Sequence, residues 1–373
     1  MRPARAPRQH LHLPSMATSA RHEFPVKIPP IYCPIPGGIN ANASEINARG
    51  LEWISQFGMF DGVADSEWSR YVDSSPGMLP ARVMPHVSYS PALQATANLL
   101  FWLWAFDDLK CDEIRPGQPA DEQVLLLCGL ARAAEAPGAA SASPFIAALH
   151  DLRHQLETVA TPAQVARWAD AMQPYFLANA AIAIHQSHKI IADPDTYIAL
   201  RIHSGAVKPC LVLLDVADGY ELPASQMERP EVRALNEMVC TLVGWDNDLL
   251  TYHKETRRGG ADHNLVTVLA RSEHLPAAEA VARAAAMRDR VLCLFLRLRD
   301  QVTAGASTEL RRYLAGLQAW IRGHLDWGMA TARYRNPADP ADLPQSLAHI
   351  PQDAAPDPLP FPSISWWWEQ LSC

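Results

Sequence analysis

The sequence predicts an all-α fold, and three observations support this. Long Ala-, Leu- and Arg-rich runs place apolar residues three or four positions apart, as in Glu122 to Glu135, Pro144 to Val159 and Pro276 to Val302. Clusters of turn-forming residues, such as Arg115-Pro116-Gly117, separate these runs. No segment of useful length alternates polar and apolar residues with period two, so no sheet is expected. The pattern indicates a single helical domain with irregular extensions at both ends.

The N-terminal part of the chain is predicted to be non-helical. Residues 1–23 are rich in Arg, Pro, His and Ser and contain no acidic residue before Glu23, which predicts a disordered extension. Five prolines follow between Phe24 and Pro36, and they favour an extended strap on the surface. The strap has apolar side chains to bury: Phe24, Val26, Ile28, Ile31 and Ile35.

Helical periodicity then runs from Ala43 to about Arg335, so the predicted domain covers residues 24–335. The remaining residues, 336–373, form a Pro- and Asp-rich tail that contains Trp366-Trp367-Trp368. We expect these tryptophans to pack back onto the helical body. A membrane or partner contact is the alternative.

Composition excludes several classes of protein. Of 373 residues, 49% are hydrophobic and 19% charged, which indicates a large buried interior. The formal net charge of -8 argues against a nucleic-acid-binding protein. Seven scattered cysteines without a CxxC pair predict reduced thiols in a cytoplasmic protein. No apolar run approaches the roughly 18 residues of a membrane span, so no stable membrane insertion is expected.

The first candidate site is an acidic cluster that follows an aromatic run. Phe101-Trp102-Leu103-Trp104-Ala105-Phe106 leads directly into Asp107-Asp108-Leu109-Lys110-Cys111-Asp112-Glu113. On a helix, Trp104 lies about one turn before Asp107 on the same face. Carboxylates this close repel one another unless a cation lies between them. Oxygen ligands of this kind suit Mg²⁺, which is often held by one or two carboxylates and substrate phosphates.

The second candidate site lies in Trp245-Asp246-Asn247-Asp248-Leu249-Leu250-Thr251-Tyr252-His253-Lys254-Glu255. Asn247, Thr251 and Glu255 are four residues apart, so a helix places them along one face. An amide oxygen, a hydroxyl and a carboxylate can together bind a divalent cation. Lys254 is adjacent and could reach an anionic group held by the metal.

Together these stretches resemble the bacterial class I terpene synthases (terpene cyclases) over about residues 24–335. Asp107, Asp108 and Asp112 resemble that family's aspartate-rich motif, and Asn247, Thr251 and Glu255 match its NDxx(S/T)xxxE metal triad. The remaining matches are Arg201 at the diphosphate-sensor position, Gly205 at the effector position after Ile202-His203-Ser204, Lys254 before the glutamate, and Arg333-Tyr334 at the C-terminal pair.

The resemblance implies a class I terpenoid synthase helical bundle that uses three Mg²⁺ ions to hold the diphosphate of a linear isoprenoid. Arg201, Lys254, Arg333 and Tyr334 are then expected to bind the diphosphate as it leaves. The cation that remains needs a dry, aromatic-lined pocket. The candidate lining residues are Trp104, Phe101, Trp320 and Trp327.

The expected substrate is farnesyl diphosphate, giving a sesquiterpene, with geranylgeranyl or geranyl diphosphate as alternatives. A chain-elongating prenyltransferase would call for a second aspartate-rich motif, which the sequence lacks. A catalytically silent helical scaffold is the alternative from another class. Members of the family are often dimers, so a homodimer is an alternative to a monomer. No stripe of apolar residues in the sequence marks an interface.

Overall fold

A computed structural model describes residues 26–111, 119–136, 138, 143–258, 261–335 and 343–371. Within these ranges the chain is helical, and the all-α prediction is confirmed. The helices of the first half are α1 (Ala43–Ser55), α2 (Asp65–Asp73), α3 (Met78–Val83), α4 (Pro91–Phe106), α5 (Asp121–Glu135), α6 (Pro144–Val159) and α7 (Pro162–His188). A π-helical turn, Asp107–Cys111, continues α4.

The second half contains three long helices and several short ones. They are α8 (Pro194–Ser204), α9 (Val207–Leu211), α10 (Leu214–Ala217), α11 (Ala224–Met227), α12 (Pro230–Arg258), α13 (Leu265–Ser272), α14 (Ala277–Ala304), α15 (Thr308–Ala330) and α16 (Pro362–Ser365). Helix α12 packs against α8, α13, α14 and α15, and α4 packs against α1, α6 and α10. The two helices with candidate metal ligands, α4 and α12, therefore belong to one bundle.

Helix starts follow from local capping chemistry. Ser90 accepts a hydrogen bond from the backbone N–H of Leu93 at the start of α4, and Thr161 and Gln164 form a reciprocal capping box at the start of α7. Proline occupies the first turn in both helices, where its missing N–H has no cost. These signals define where α4 and α7 begin.

The strap runs in extended form over the bundle and meets the C-terminal tail. Val26, Ile28, Ile31 and Ile35 are buried, as expected; Phe24 and residues 1–23 lie outside the described residues. In the described part of the chain the sole β pairing is a bridge between Tyr32 and Ala348. The two terminal segments thus hold each other against the helices.

The tail packs onto the helical body through its tryptophans. Trp367 is fully buried, and its Nε1 donates to Glu237 Oε2 of α12 at 3.0 Å. Ser363 donates through its N–H and its hydroxyl to Asp195 Oδ1 of α8, at 3.0 and 2.6 Å. The tail therefore contacts both α8 and α12. Residues 336–342 lie outside the described residues.

One segment, Pro194–Ala217, is long and apolar enough to cross a membrane by length and composition alone. Buried core helices meet the same criterion, and 56% of its most apolar 18-residue window is buried inside the molecule. Its first helix ends at Ser204 and the next begins at Val207. The six described cysteines are free thiols.

A buried ion pair fixes α12 to α14 and to the strap. Arg288 and Asp246 side chains are both fully buried, with Arg288 Nε 2.7 Å from Asp246 Oδ1. Arg288 also donates to the carbonyl oxygen of Tyr32 in the strap. Because Asp246 precedes Asn247, this pair anchors the helical segment that carries the second candidate site.

We expect the Arg288→Met variant to lose about 3–5 kcal/mol of unfolding free energy, because it leaves the Asp246 carboxylate buried without its partner. The double variant Arg288→Met/Asp246→Leu is expected to regain part of that loss, because it removes the Asp246 charge while the buried Asp289, which also contacts Arg288, stays. Urea unfolding followed by circular dichroism measures both. An Arg288→Met midpoint equal to that of the wild type would contradict the expectation.

Candidate active site

The first wall of the site is the C-terminal end of α4 and the π-helical turn after it. The Asp107 side chain is 47% exposed, whereas that of Asp108 is 9% exposed. π-Helical turns are rare and occur frequently at functional sites, because the extra residue per turn redirects side chains. Here adjacent carboxylates have different environments, one open to a cavity and one buried.

Arg333 binds both carboxylates of this wall. Its Nη2 lies 2.8 Å from Asp107 Oδ2, and its Nη1 pairs with Asp108 Oδ1. The guanidinium also lies over the Trp104 ring, 5.1 Å from the centroid. Burial by itself raises the pKa of Asp108, but the charge and hydrogen bond of Arg333 outweigh it, so the pKa lies below its usual value. Asp108 is therefore ionised at neutral pH.

The second wall is the last part of α12. The Thr251 hydroxyl lies 2.8 Å from the Asn247 carbonyl oxygen and 2.6 Å from Glu255 Oε1. Asn264, at the start of α13, donates to Glu255 Oε2 at 2.9 Å. The three oxygen-bearing side chains predicted from four-residue spacing do lie along one helix face, and their hydrogen bonds fix their positions.

Arg201 of α8 lies beside this second wall and contacts it at several points. Its Nη2 is 2.7 Å from Asn247 Oδ1, 3.0 Å from the Gly244 carbonyl oxygen and 2.7 Å from Asp248 Oδ1. On the other side, Asn247 Nδ2 donates to the Tyr334 hydroxyl at 2.5 Å. Asn247 thus connects the arginine of α8 to the C-terminal Arg-Tyr pair.

The helical conformation is interrupted between α8 and α9, beside the cavity that lies between the two walls. Ser204 ends α8, and Ala206 has a φ of 56°, a left-handed conformation that is uncommon for a residue with a Cβ. Gly205 itself has a φ of -73°, so the sharp turn falls one residue after the glycine. Ser204, Gly205 and Ala206 all line the cavity. The backbone of this break is accordingly exposed to a bound ligand.

Two adjoining cavities lie between the walls. The walls of the polar cavity include Thr251, Lys254 and Glu255. The walls of the apolar cavity include Leu100, Leu103 and Trp320. Six residues line both and mark the opening between them: Asp107, Arg201, Ser204, Asn247, Arg333 and Tyr334. The site therefore has a charged mouth and an apolar interior.

Aromatic rings surround the opening to the apolar cavity. Trp104 meets Trp327 edge to face at 4.1 Å between centroids, and Trp327 meets Tyr334 at 5.0 Å. Trp104 and Trp320 both line the apolar cavity. Aromatic faces attract cations, so this wall can stabilise positive charge.

The donor set fits a divalent cation with hard oxygen ligands. Asp107, Asn247, Thr251 and Glu255 all line the polar cavity, and each offers an oxygen atom. Among the described residues no group of three His, Cys, Asp or Glu side chains could hold a metal by itself. An amide and a hydroxyl oxygen therefore have to complete the set, which favours Mg²⁺ over the nitrogen- and sulfur-binding metals.

Comparison with known proteins agrees with this geometry. The model of the family described as terpene synthase family 2, C-terminal metal binding, matches residues 98–292, more than half of the chain. The chain belongs to the terpene synthase family. The matched region includes both walls of the site and Arg201.

Whole-length relatives are also terpene synthases. The (+)-(1(10)E,4E,6S,7R)-germacradien-6-ol synthase of Streptomyces pratensis is 38% identical, and the match covers 92% of this chain and 97% of that protein. The (+)-T-muurolol synthase ((2E,6E)-farnesyl diphosphate cyclizing) of Streptomyces clavuligerus is also 38% identical, over 90% of this chain and 81% of that protein. Among solved structures, the SVS_A2 protein from ancestral sequence reconstruction is 33% identical with a TM-score of 0.82, covering 92% and 99% of the two chains. This terpene synthase shares the fold of that structure.

Most predicted site residues converge on the two cavities, with three differences. Trp327 is buried against Trp104 and Tyr334 and lines neither cavity, so its expected role in lining the pocket was wrong. Phe101 is fully buried and absent from the cavity walls; it packs against Gly50 of α1, so its expected role in lining the pocket was wrong. Asp108 lies behind the wall against Arg333 and lines neither cavity. Asp112 lies outside the described residues.

Sequence reasoning missed the polar support behind the terpene synthase metal motif. Asp248 accepts from the Tyr197 hydroxyl and, at 2.9 Å, from the backbone N–H of Leu265, while Asn264 donates to the Asp248 carbonyl oxygen. The signal was present, since an acidic residue in an apolar helical segment has to find partners if it is buried. The partners lie in other helices and have no local pattern.

Gly244 makes room for the Arg201 side chain. A Cβ at this position would lie 3.2 Å from Arg201 Cγ and Nε. We expect Gly244→Ala to displace Arg201 and lower the turnover rate about tenfold or more, since a shift of about 1 Å in a positioning group can lower rates 100-fold. Gly305→Ala is the matched control, because nothing lies within 4 Å of its added Cβ. Steady-state diphosphate release compares them, and equal rates for the two variants would contradict the expectation.

Proposed function

We propose that the protein is a Mg²⁺-dependent terpene cyclase that ionises farnesyl diphosphate, releases diphosphate and cyclises the cation to a sesquiterpene. One observation supports this most strongly. Oxygen ligands from α4 and α12, together with Arg201 and Arg333, meet at the mouth of a cavity whose far end is apolar and aromatic. This arrangement separates a charged leaving group from a reactive hydrocarbon.

In the proposal Asp107, with Asp108 and Asp112 as further candidates, and Asn247, Thr251 and Glu255 hold three Mg²⁺ ions. The bound ions would neutralise charge that develops on the diphosphate as its bond to carbon breaks. Thr251 and Glu255 are held by their mutual hydrogen bond and by Asn264, and the Asn247 side chain is held by Arg201 and Tyr334. Cation binding would require Asn247 Oδ1 to exchange its hydrogen bond from Arg201 for the metal.

The basic residues at the mouth are proposed to bind the diphosphate. Arg201, Lys254 and Arg333, with the Tyr334 hydroxyl, line the polar cavity from three different elements. Preorganised donors of this kind stabilise a developing anion more than they stabilise the intact substrate. The break at Gly205 adds exposed backbone beside the same opening.

The isoprenoid chain would occupy the apolar cavity. Trp104 and Trp320 lie on its wall, and a desolvated aromatic face contributes about 2 kcal/mol to the stabilisation of a cation. Burial of these walls keeps water from the cation until cyclisation is complete. Trp104 also contacts Arg333, so it links the leaving-group end to the hydrocarbon end.

Farnesyl diphosphate is proposed as the substrate because the relative from Streptomyces clavuligerus is described as cyclising that compound. The test is incubation of the purified protein with the C10, C15 and C20 diphosphates, with Mg²⁺ or with EDTA, followed by product analysis by GC-MS. We expect a cyclic C15 product that disappears with EDTA. A cyclic product from the C20 substrate alone would correct the chain length to geranylgeranyl diphosphate.

Two other outcomes would overturn the proposal. Longer linear diphosphates formed with added isopentenyl diphosphate would indicate a prenyltransferase. Folded protein that turns over none of the three substrates would indicate a silent scaffold.

A further inference from the structure

Helix α15 contributes a tryptophan and a histidine, Trp320 and His324, to the wall of the apolar cavity. Trp320, His324 and Trp327 are spaced by four and three residues on α15, so they lie on one helix face. At 1.5 Å per residue, His324 is about 4.5 Å from Trp327 and about 6 Å from Trp320 along the helix axis. Trp327 contacts Tyr334 at the mouth. His324 therefore lies along the path between the diphosphate and the far end of the cavity.

The imidazole of His324 is buried and lacks a full set of partners. The residue is 4% exposed, and its Nδ1 has no hydrogen-bond partner within the described part of the chain. Buried polar atoms without a partner are rare in native proteins, and each calls for an explanation. A buried histidine with a structural role usually forms a hydrogen bond that joins two elements. Nδ1 of His324 forms no such bond in the described part of the chain.

His324 is neutral before any reaction. Burial, and then the positive charges of Arg201 and Arg288, lower the pKa of its imidazole to about 3. A neutral imidazole has one ring nitrogen with a free lone pair. An imidazolium in the same place would repel a cation, whereas the neutral ring does not.

Other polar groups of the apolar cavity are less suited to accept a proton. Trp320 offers only an N–H donor, and the Tyr175 hydroxyl and the Cys210 thiol keep their protons because burial raises the pKa of each. The remaining polar wall residues in the described chain are at the mouth: Asp107, Arg201, Ser204, Asn247, Arg333 and Tyr334. Away from the mouth, His324 is the base among the described wall residues.

We propose that His324 is the general base that ends the reaction by removing a proton from the cyclised cation. In this step a C–H bond next to the cationic carbon breaks, and its electron pair forms the C=C bond of the product. The proton moves to the free ring nitrogen of His324 and passes to solvent when the product leaves. The inference rests on the proposed cyclase function. A carbocation is a far stronger acid than an imidazolium, so a weak base is sufficient.

Chemical rescue tests this role separately from the shape of the cavity. In His324→Ala, the share of the wild-type main product should fall at least about tenfold, because general bases typically contribute 100-fold or more to the step they serve. Added imidazole should restore that product. Added pyrrole, which has the same ring size but no basic lone pair, should not restore it. Wild-type enzyme with imidazole controls for effects on the metal.

Diphosphate release is measured in parallel. It shows whether the substitution affects departure of the leaving group or only the step that ends the reaction. It should change less than about threefold in His324→Ala, since the groups that stabilise the leaving diphosphate lie at the mouth. His324→Asn, which keeps a polar side chain of smaller size, replaces His324→Ala if circular dichroism shows the latter unfolded, and its product profile is expected to change in the same way.

Equal rescue by pyrrole would show that His324 fills space, and an unchanged product profile in the folded variants would show that it has no role in termination. Either result overturns the inference and leaves the cyclase proposal intact. Absence of diphosphate release from the wild-type protein would instead overturn the cyclase proposal.

Discussion

In the Asn247→Ala variant we expect Mg²⁺-dependent diphosphate release to fall by more than about 100-fold. Removing even an outer partner of a metal ligand typically lowers affinity or activity 10- to 100-fold, and Asn247 is proposed to be a ligand itself. It also contacts Arg201 at 2.7 Å and Tyr334 at 2.5 Å, so its loss disturbs both groups that are proposed to bind the leaving diphosphate.

The measurement is diphosphate release as a function of Mg²⁺ concentration, because loss of a metal ligand raises the Mg²⁺ concentration required. Asn236→Ala is the matched control. Asn236 lies about three turns earlier on the same helix, roughly 16 Å away along its axis. It accepts a hydrogen bond from Tyr313 and does not line the polar cavity. Equal activity of the two variants would contradict a metal role for Asn247.

Arg333→Gln is expected to lower the turnover rate about 100- to 1000-fold, the usual effect of removing one preorganised donor from a developing anion. Arg333→Lys keeps the charge but loses the two-pronged geometry of the guanidinium, so an intermediate rate is expected. Arg335→Gln is the matched control, since Arg335 is exposed two residues away. Single-turnover kinetics with saturating Mg²⁺ compares the three.

Arg333 also lowers the pKa of Asp108, which connects activity to acid stability. Because its pKa is lowered, the Asp108 carboxylate stabilises the folded state at pH values above the ordinary pKa of an aspartate, about 4. This stabilisation is lost as the pH falls through the lowered pKa of Asp108. Arg333→Gln removes it, so the stability difference between wild type and variant should be largest near neutral pH and shrink in acid. Urea unfolding at several pH values measures this, and a difference that grows in acid would contradict it.

The alignment of the candidate metal ligands on one helix face depends only on their spacing, so the sequence alone predicts it. Four-residue spacing places Asn247, Thr251 and Glu255 on one face of any helix, whatever surrounds it. The helices themselves follow from periodicity and from caps such as Ser90 and Thr161, which act within a few residues. The extended conformation of the strap is also predicted from local sequence, because its prolines exclude a helix.

Other features depend on contacts between distant parts of the chain. Arg333 meets Asp107 across 226 residues, and Arg288 meets the strap carbonyl of Tyr32 across 256 residues. The sequence does not indicate that Phe101 turns into the core while Trp104 faces the cavity, because both belong to one continuous apolar run. Only packing against α1 and α15 decides between them.

By itself the sequence determined the helical class, the order of the helices and the candidate oxygen ligands, since each depends on residues within one or two helical turns. The tertiary structure alone decided which carboxylate faces the cavity, why Gly244 has to be small, and that His324 lies buried in the wall. These properties arise where separate helices meet, and a helix's own sequence does not encode its neighbour's surface.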